Sequence, residues 1–363
     1  MGTGTCIRSR TLSRHLPPLI VCLCLLGAGQ RPALAYPIAT IHGAGSTFDA
    51  PFFARAFQAY SADHPVEIAY RPDGSGAGIE QFIANGLDFA ATDVPLNQLE
   101  LALAVRTDGP VVEIPVALGG VAVIFNDSKI GGTRMLALDG PTLAAVFLGT
   151  IQFWDDPAIA RLNPGLRLPP DHIRPVHRAD SSGTTYMFTN YLSAVSARWA
   201  RTVGKAKAVA WPVGFRGTGS AGEATWVARH EGAIGYVELK YAIDNHLSYA
   251  RLRNRAGRFQ PPNRATVGAA AARFPRMTAR IFSIVDAPGA GSYPIAGYSW
   301  ILVRENQRSA QRGRALVGLL RWLTTAGQRY AGGLNYTPLP AAARQQAAAA
   351  LYAVRFPAGG GSR

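Results

Sequence analysis

Three short stretches of this chain crowd glycine against hydroxyl side chains: Gly43-Ala44-Gly45-Ser46-Thr47-Phe48, Gly74-Ser75-Gly76-Ala77-Gly78 and Arg178-Ala179-Asp180-Ser181-Ser182-Gly183-Thr184. Each stands ahead of a segment expected to be helical. Free N–H groups at a helix start, together with the positive end of its dipole, attract an anion. Glycine lets the backbone approach a ligand closely, and Ser and Thr hydroxyls add donors. One such stretch alone reads as an ordinary N-cap; three in one chain point to a bound oxyanion. The third carries its own cation, since Arg178 can give a bidentate pair of hydrogen bonds and Asp180 is near enough to hold the guanidinium. Asp93, in Phe89-Ala90-Ala91-Thr92-Asp93-Val94-Pro95-Leu96, is misplaced beside an anion unless the ligand has a proton to donate. Phosphate has one at neutral pH and sulfate does not.

Other chemistries find little support. The glycine-flanked serines do not fit G-x-S-x-G, because Asp73 precedes Ser75 by two positions and Ala44 precedes Ser46. The seven histidines form no short metal-ligand spacing, and His177 reads as a loop or strand-end histidine. Gly217-Thr218-Gly219-Ser220-Ala221-Gly222 matches a dinucleotide fingerprint literally. It follows the turn-rich Trp211-Pro212-Val213-Gly214, so it is read as a loop leading into a helix over Glu223 to His230. No enzymatic activity, metal or cofactor is expected.

The elements that must hold these residues alternate between strand and helix. Val66 to Tyr70, Val111 to Leu118, Val121 to Phe125, Ile234 to Val237 and Ile301 to Val303 read as strands, giving an α/β protein. Ala50 to Ala62 places Phe52, Phe53, Ala56, Phe57 and Tyr60 on one helical face, with Pro51 in the first turn. A length of 363 residues, 48% of them apolar, implies two domains or lobes. Gly119-Gly120 and Ser292 to Ala296 are the expected crossings between them. The alanine run Ala347 to Ala350 is read as part of a terminal helix, and Ala358 to Arg363 as a frayed tail.

Residues 1–35 read as a cleavable secretory signal: Arg8, Arg10 and Arg14 precede an apolar run from Leu16 to Gly29, and Ala33-Leu34-Ala35 offers a cleavage site. The run is shorter than the ~20 residues of a spanning helix. Cys6, Cys22 and Cys24 all lie within residues 1–35, so the exported chain is expected to have no disulfide, thiolate metal site or cysteine nucleophile. The formal charge is +15, of which four arginines belong to the signal, leaving +11. Much of the excess lies between Arg251 and Arg280, a span without Asp or Glu. A solvated basic face and a surface that attracts anions, membrane or nucleic acid are equally open there.

These residues resemble those of a known family, the periplasmic phosphate-binding proteins of the high-affinity phosphate ABC transporter. Besides the stretches above, the resemblance rests on Phe147-Leu148-Gly149-Thr150-Ile151, Phe153-Trp154-Asp155-Asp156, Leu162-Asn163-Pro164-Gly165-Leu166, Gly232-Ala233-Ile234-Gly235-Tyr236-Val237-Glu238 and Leu334-Asn335-Tyr336. It implies a type II solute-binding protein: two α/β lobes, a hinge and a ligand cleft between them. Residues 36–118 with 291–363 would form the first lobe and 119–290 the second. The family's ligand contacts fall on Thr47, Phe48, Ser75, Asp93, Arg178, Ser182, Gly183 and Thr184, with Asp180 holding the arginine. The chain departs from the family at Asp49, where proline often stands, at Gly76-Ala77 and at Ser181. The implied partners are inorganic phosphate and the membrane permease subunits of a phosphate ABC importer, met in the periplasm by a monomer, with no nucleic acid. The alternative is a secreted protein of the same fold that binds polyanions.

Overall fold

Each glycine-rich turn follows a strand that belongs to one of two parallel groups in the main sheet. The computed structural model describes residues 1–2, 39–130, 135–277 and 282–357. Of the expected signal only Met1 and Gly2 are described, and the tail from Ala358 lies outside the described residues. From Pro37 onward the chain forms one compact unit.

The strands are β1 (Ala39–Gly45), β2 (Val66–Arg71), β3 (Phe89–Thr92), β4 (Val111–Asn126), β5 (Ala137–Leu138), β6 (Arg174–Arg178), β7 (Phe215–Gly217), β8 (Ala233–Glu238), β9 (Ser248–Tyr249), β10 (Arg251–Arg253), β11 (Phe259–Gln260) and β12 (Ala296–Arg304). The main sheet runs β2-β1-β3-β12-β4-β8-β6-β7, with β9 also on β4, and β11-β10-β5 form a small separate sheet. β1 is parallel to β2 and β3, and β6 is parallel to β7 and β8. β12 and β4 join the two parallel groups by antiparallel pairing. Helices cover the sheet, which is why β3 and β12 are buried throughout and read as apolar runs without alternation.

The helix Ala50–Asp63 forms as expected and buries Phe52, Phe53, Ala56, Phe57 and Tyr60. Each such large side chain contributes about 1.5–3 kcal/mol by leaving water. The helix stops at His64, whose backbone is extended ahead of Pro65, as a residue before proline prefers. The terminal helix Ala341–Tyr352 contains the alanine run.

Two expectations are corrected. Val111 to Leu118 and Val121 to Phe125 are one strand of 16 residues, not two runs divided at Gly119-Gly120. Those glycines pair in register with Gly297 and Ala296. A Cβ on Gly119 would come within 2.7 Å of the Phe48 ring, so packing and not a turn explains the pair. The helix placed at Glu223 to His230 instead spans Gly219–Arg229, because the glycine-rich segment supplies its first turn. No helix among the described residues is long and apolar enough to cross a membrane.

Candidate functional site

The carboxyl ends of the parallel strands carry the chemistry. β1 leads into Ser46 and Thr47, β3 into Asp93, β6 ends at Arg178 and β7 leads into Thr218, while Ser75 follows the turn after β2. In open α/β sheets this edge is where ligands bind. Thr47, Phe48, Ser75, Asp93, Arg178, Ser182, Gly183 and Thr184 are all buried there, and Asp180 is partly buried.

Arg178 is held by its neighbours. Its Nε donates to Asp180 Oδ1 at 2.8 Å and its Nη2 donates to Asp180 Oδ2. Its Nη1 reaches Ser220 Oγ at 3.3 Å. Because Asp180 occupies the Nε–Nη2 edge, the Nη1–Nη2 edge is the one left for an oxyanion. The Gly219 N–H, opening the helix Gly219–Arg229, adds a 3.0 Å bond to Asp180 Oδ1. Burial would raise the Asp180 carboxyl, but the Arg178 hydrogen bonds and charge hold it below its ordinary value. Behind the arginine, Glu223 is fully buried and its Oε1 accepts from the Tyr236 N–H. Burial pushes that carboxyl well up, with the Arg178 charge opposing.

Asp93 is surrounded differently. Ser46 Oγ donates to its Oδ1 at 2.5 Å and Ser299 Oγ donates to the same oxygen at 2.8 Å. Among the described residues Oδ2 has only Thr184 Oγ1, at 3.5 Å. The Asp93 N–H points to Ser75 Oγ at 3.4 Å. Burial pushes the Asp93 carboxyl up to about 6, against the pull of the Ser46, Ser299 and Thr184 hydroxyls and the Arg178 charge.

Gly183 begins the helix Gly183–Val195, capped by Ser182 Oγ on the Thr185 N–H. A Cβ at Gly183 would lie 2.6 Å from Asp93 Oδ2 and from Ser75 Oγ, so only glycine lets the helix start sit against both. Gly45 supplies the positive φ of 134° that turns β1 into Ser46. The Phe48 N–H lies 3.0 Å from Ser46 Oγ, and the Phe48 ring packs edge-on to Tyr336.

The predicted residues thus fall into two touching groups, Asp93 with Ser75, Gly183 and Thr184, and Arg178 with Asp180. Thr47 joins the second through Ser220, Oγ1 to Oγ at 2.8 Å, while its carbonyl accepts from the Tyr241 hydroxyl at 2.7 Å. The Gly76 N–H donates to the Ser181 carbonyl at 2.9 Å, and Lys207 pairs with Glu100. His177 is a buried strand residue stacked on Trp211, away from these groups. Ser46, Asp49, Ser220 and Ser299 were not predicted as site residues. Ser46 and Ser220 stood inside glycine-rich stretches that gave a signal, whereas Ser299 lies in a wholly buried strand and gave none. Among the described residues no cluster of three or more potential ligands could hold a metal ion.

Residues 30–326 match the PBP superfamily domain. The chain is 40% identical over 302 residues to the phosphate-binding protein PstS of Xylella fastidiosa strain 9a5c, covering 83% of this chain and 81% of that one. It is 38% identical over 310 residues to the phosphate-binding protein PstS of Pasteurella multocida, covering 85% and 88%. In structure it is similar to PfluDING, a high-affinity periplasmic phosphate-binding protein bound with phosphate at pH 8.5. That match has a TM-score of 0.68 at 22% identity, and covers 85% of this chain and 93% of the other. The two-lobed solute-binding fold is common to them, and the chain belongs to the PstS family of phosphate-binding proteins.

Proposed function

We propose that this protein binds inorganic phosphate outside the cytoplasm and hands it to the permease subunits of a phosphate ABC importer, without making or breaking a bond in it. The observation that carries the reading is the meeting, in one buried cluster, of a guanidinium at Arg178 whose Nη1–Nη2 edge is not taken by Asp180 and a carboxylate at Asp93 whose Oδ2 is met by Thr184 at a long 3.5 Å. A tetrahedral oxyanion that retains a proton complements both: its oxygens accept from Arg178, Ser75, Thr47, Ser182, Thr184 and the Phe48 and Gly183 N–H groups, and its O–H donates to Asp93. Asp180 keeps the arginine in place.

Residues 36–118 with 291–363 make one lobe in this reading and 119–290 the other. It is supported by the change of partner along β4, from β12 up to Gly120 to β8 from Val121. On these bounds Thr47–Ser220, Tyr241–Thr47, Gly76–Ser181 and Glu100–Lys207 all join one lobe to the other. Ligand bridging the lobes would therefore favour closure, as differential binding requires.

Calorimetric titration of ligand-stripped protein with phosphate, at two ionic strengths, tests the reading. One tight site per chain, with little salt dependence and lost in Arg178→Ala, is expected. Absence of a binding heat, or binding that is steeply salt-dependent and indifferent to Arg178→Ala, would overturn it and favour a polyanion-binding surface.

A further inference from the structure

Asp49 occupies the N-cap position of the helix Ala50–Asp63, yet its side chain makes no capping hydrogen bond. The carboxyl turns inward, is fully buried, and meets Ser299 Oγ through Oδ2, while Oδ1 has no hydrogen-bond partner among the described residues. The same serine oxygen lies 2.8 Å from Asp93 Oδ1 and 3.2 Å from the Thr92 carbonyl. Two buried carboxyl groups therefore flank one hydroxyl, which has a single proton to give. Were both acids ionised, one would face the serine oxygen with no hydrogen between them, at the cost of an unpaired buried charge.

The surroundings decide which acid keeps the proton. Asp93 Oδ1 already accepts from Ser46, and the Arg178 charge acts on it. Asp49 has Ser299 alone, and the charges acting on it most strongly are the acids Asp93, beyond β3, and Glu238, at the end of β8. The other titratable groups that feel Asp49 are the hydroxyls of Tyr70, Tyr241 and Tyr336, none of them a cation. Burial first, then Asp93, pushes the Asp49 carboxyl well above its ordinary value.

We propose that Asp49 is a specificity-determining positioning residue: held as an uncharged acid, it donates to Ser299 Oγ, which turns the serine hydroxyl onto Asp93 Oδ1 and leaves Asp93 the ionised acceptor whose Oδ2 takes the ligand's proton. The inference rests on the phosphate reading above. It gives the selectivity against fully ionised oxyanions a second source, since a proton held at Asp49 is a proton kept off Asp93. With the proton on Asp93 instead, the site would present a donor and would accept sulfate.

Infrared difference spectroscopy on the ligand-free protein at neutral pH reads the proton directly. Because Glu223 and Glu238 are buried acids that can contribute bands of their own, the readout is the difference between proteins: one component of the protonated-acid carbonyl stretch seen in the wild type should be lost in Asp49→Asn and retained in Asp93→Asn. Titrations with phosphate and sulfate supply the functional arm. Asp49→Ala, which leaves Ser299 free to share its proton with the Thr92 carbonyl, should lower the phosphate-over-sulfate affinity ratio about fivefold. Asp49→Asn, whose amide N–H can donate to Ser299, should recover most of that loss. A protonated-acid spectrum unchanged between the wild type and Asp49→Asn, or a component lost in Asp93→Asn instead, would overturn the proposal. So would an unchanged ratio in Asp49→Ala, or an Asp49→Asn variant that binds phosphate ten times tighter, which would mean that Asp49 carries a charge. Failure of the wild type to bind phosphate would instead defeat the functional reading, while the infrared band would still report where the proton resides.

Discussion

The two ends of the site deal with buried charge in opposite ways. At Arg178 both charges are kept and paired: the guanidinium makes two hydrogen bonds to Asp180, which also receives the Gly219 N–H. At Asp93 no cation makes direct contact, three hydroxyls donate, and a second carboxyl waits behind Ser299. The first arrangement fixes a positive edge whatever the pH, so it supplies affinity for any oxyanion of the right size. The second can hold its negative charge only by placing a proton elsewhere, so it supplies selectivity and a dependence on pH. Attraction and rejection are thus assigned to different residues.

The largest effect is expected where pairing is broken. Arg178→Ala removes a charge-assisted contact to the ligand and leaves Asp180 without its partner. A loss of roughly 3 kcal/mol, or more than about 100-fold in phosphate affinity, should follow. Adding Asp180→Ala should cost little further, because the two residues act as a unit. Calorimetry on the single and double variants checks this, and simple additivity would show that the two groups work independently. Ser75→Ala, which removes one hydroxyl donor, should lose less than Arg178→Ala.

A smaller effect concerns pH and stability at the other end. The Asp93 carboxyl stands at about 6 in the folded protein, above its ordinary 3.8. The folded state therefore binds a proton more readily than the unfolded chain between those values. Its contribution is fully present below the unfolded value and is lost as pH rises through about 6. Asp93→Asn has no such group, so wild type minus variant stability should fall as pH rises across this window, by at most about 3 kcal/mol. Denaturant unfolding at several pH values measures it, and a flat difference would contradict the burial argument. The smallest effect is expected at the rim, where Lys207→Ala breaks a partly exposed ion pair with Glu100. A loss of a few-fold in phosphate affinity, shrinking with added salt, is appropriate for such a pair; a loss comparable to that of Arg178→Ala would mean that closure, and not ligand contact, sets affinity.

Much of the positive end was legible in the sequence, because Arg178 and Asp180 stand two residues apart in a stretch whose spacing carries the chemistry. The helix Ala50–Asp63 was equally plain from its apolar face. The acidic end was legible only as a lone Asp93 out of place. Its partners come from far along the chain, Ser299 standing 206 positions from Asp93 and 250 from Asp49. Nothing local distinguishes a serine in the buried strand β12 from a small residue chosen for packing. Asp49 stands out only as a departure from the proline common in the family, with no sign that its side chain turns inward to Ser299. Likewise the sequence reads as two strand runs, Val111 to Leu118 and Val121 to Phe125, where the chain forms the single strand β4, and Gly217 to Gly222 concealed Ser220, which bridges Thr47 and Arg178.

Competition between phosphate and sulfate at neutral pH, measured by calorimetry on the wild type and on Asp93→Asn, tests the division of labour most directly. A site built around a ligand's donor rejects an analogue lacking it by ~10⁴ or more. Sulfate should therefore fail to displace phosphate from the wild type even in large excess. In Asp93→Asn, whose amide can donate as well as accept, the gap should narrow, chiefly through tighter sulfate binding. Wild-type protein that binds sulfate as tightly as phosphate would contradict the role given to Asp93, and with it the phosphate reading of the site.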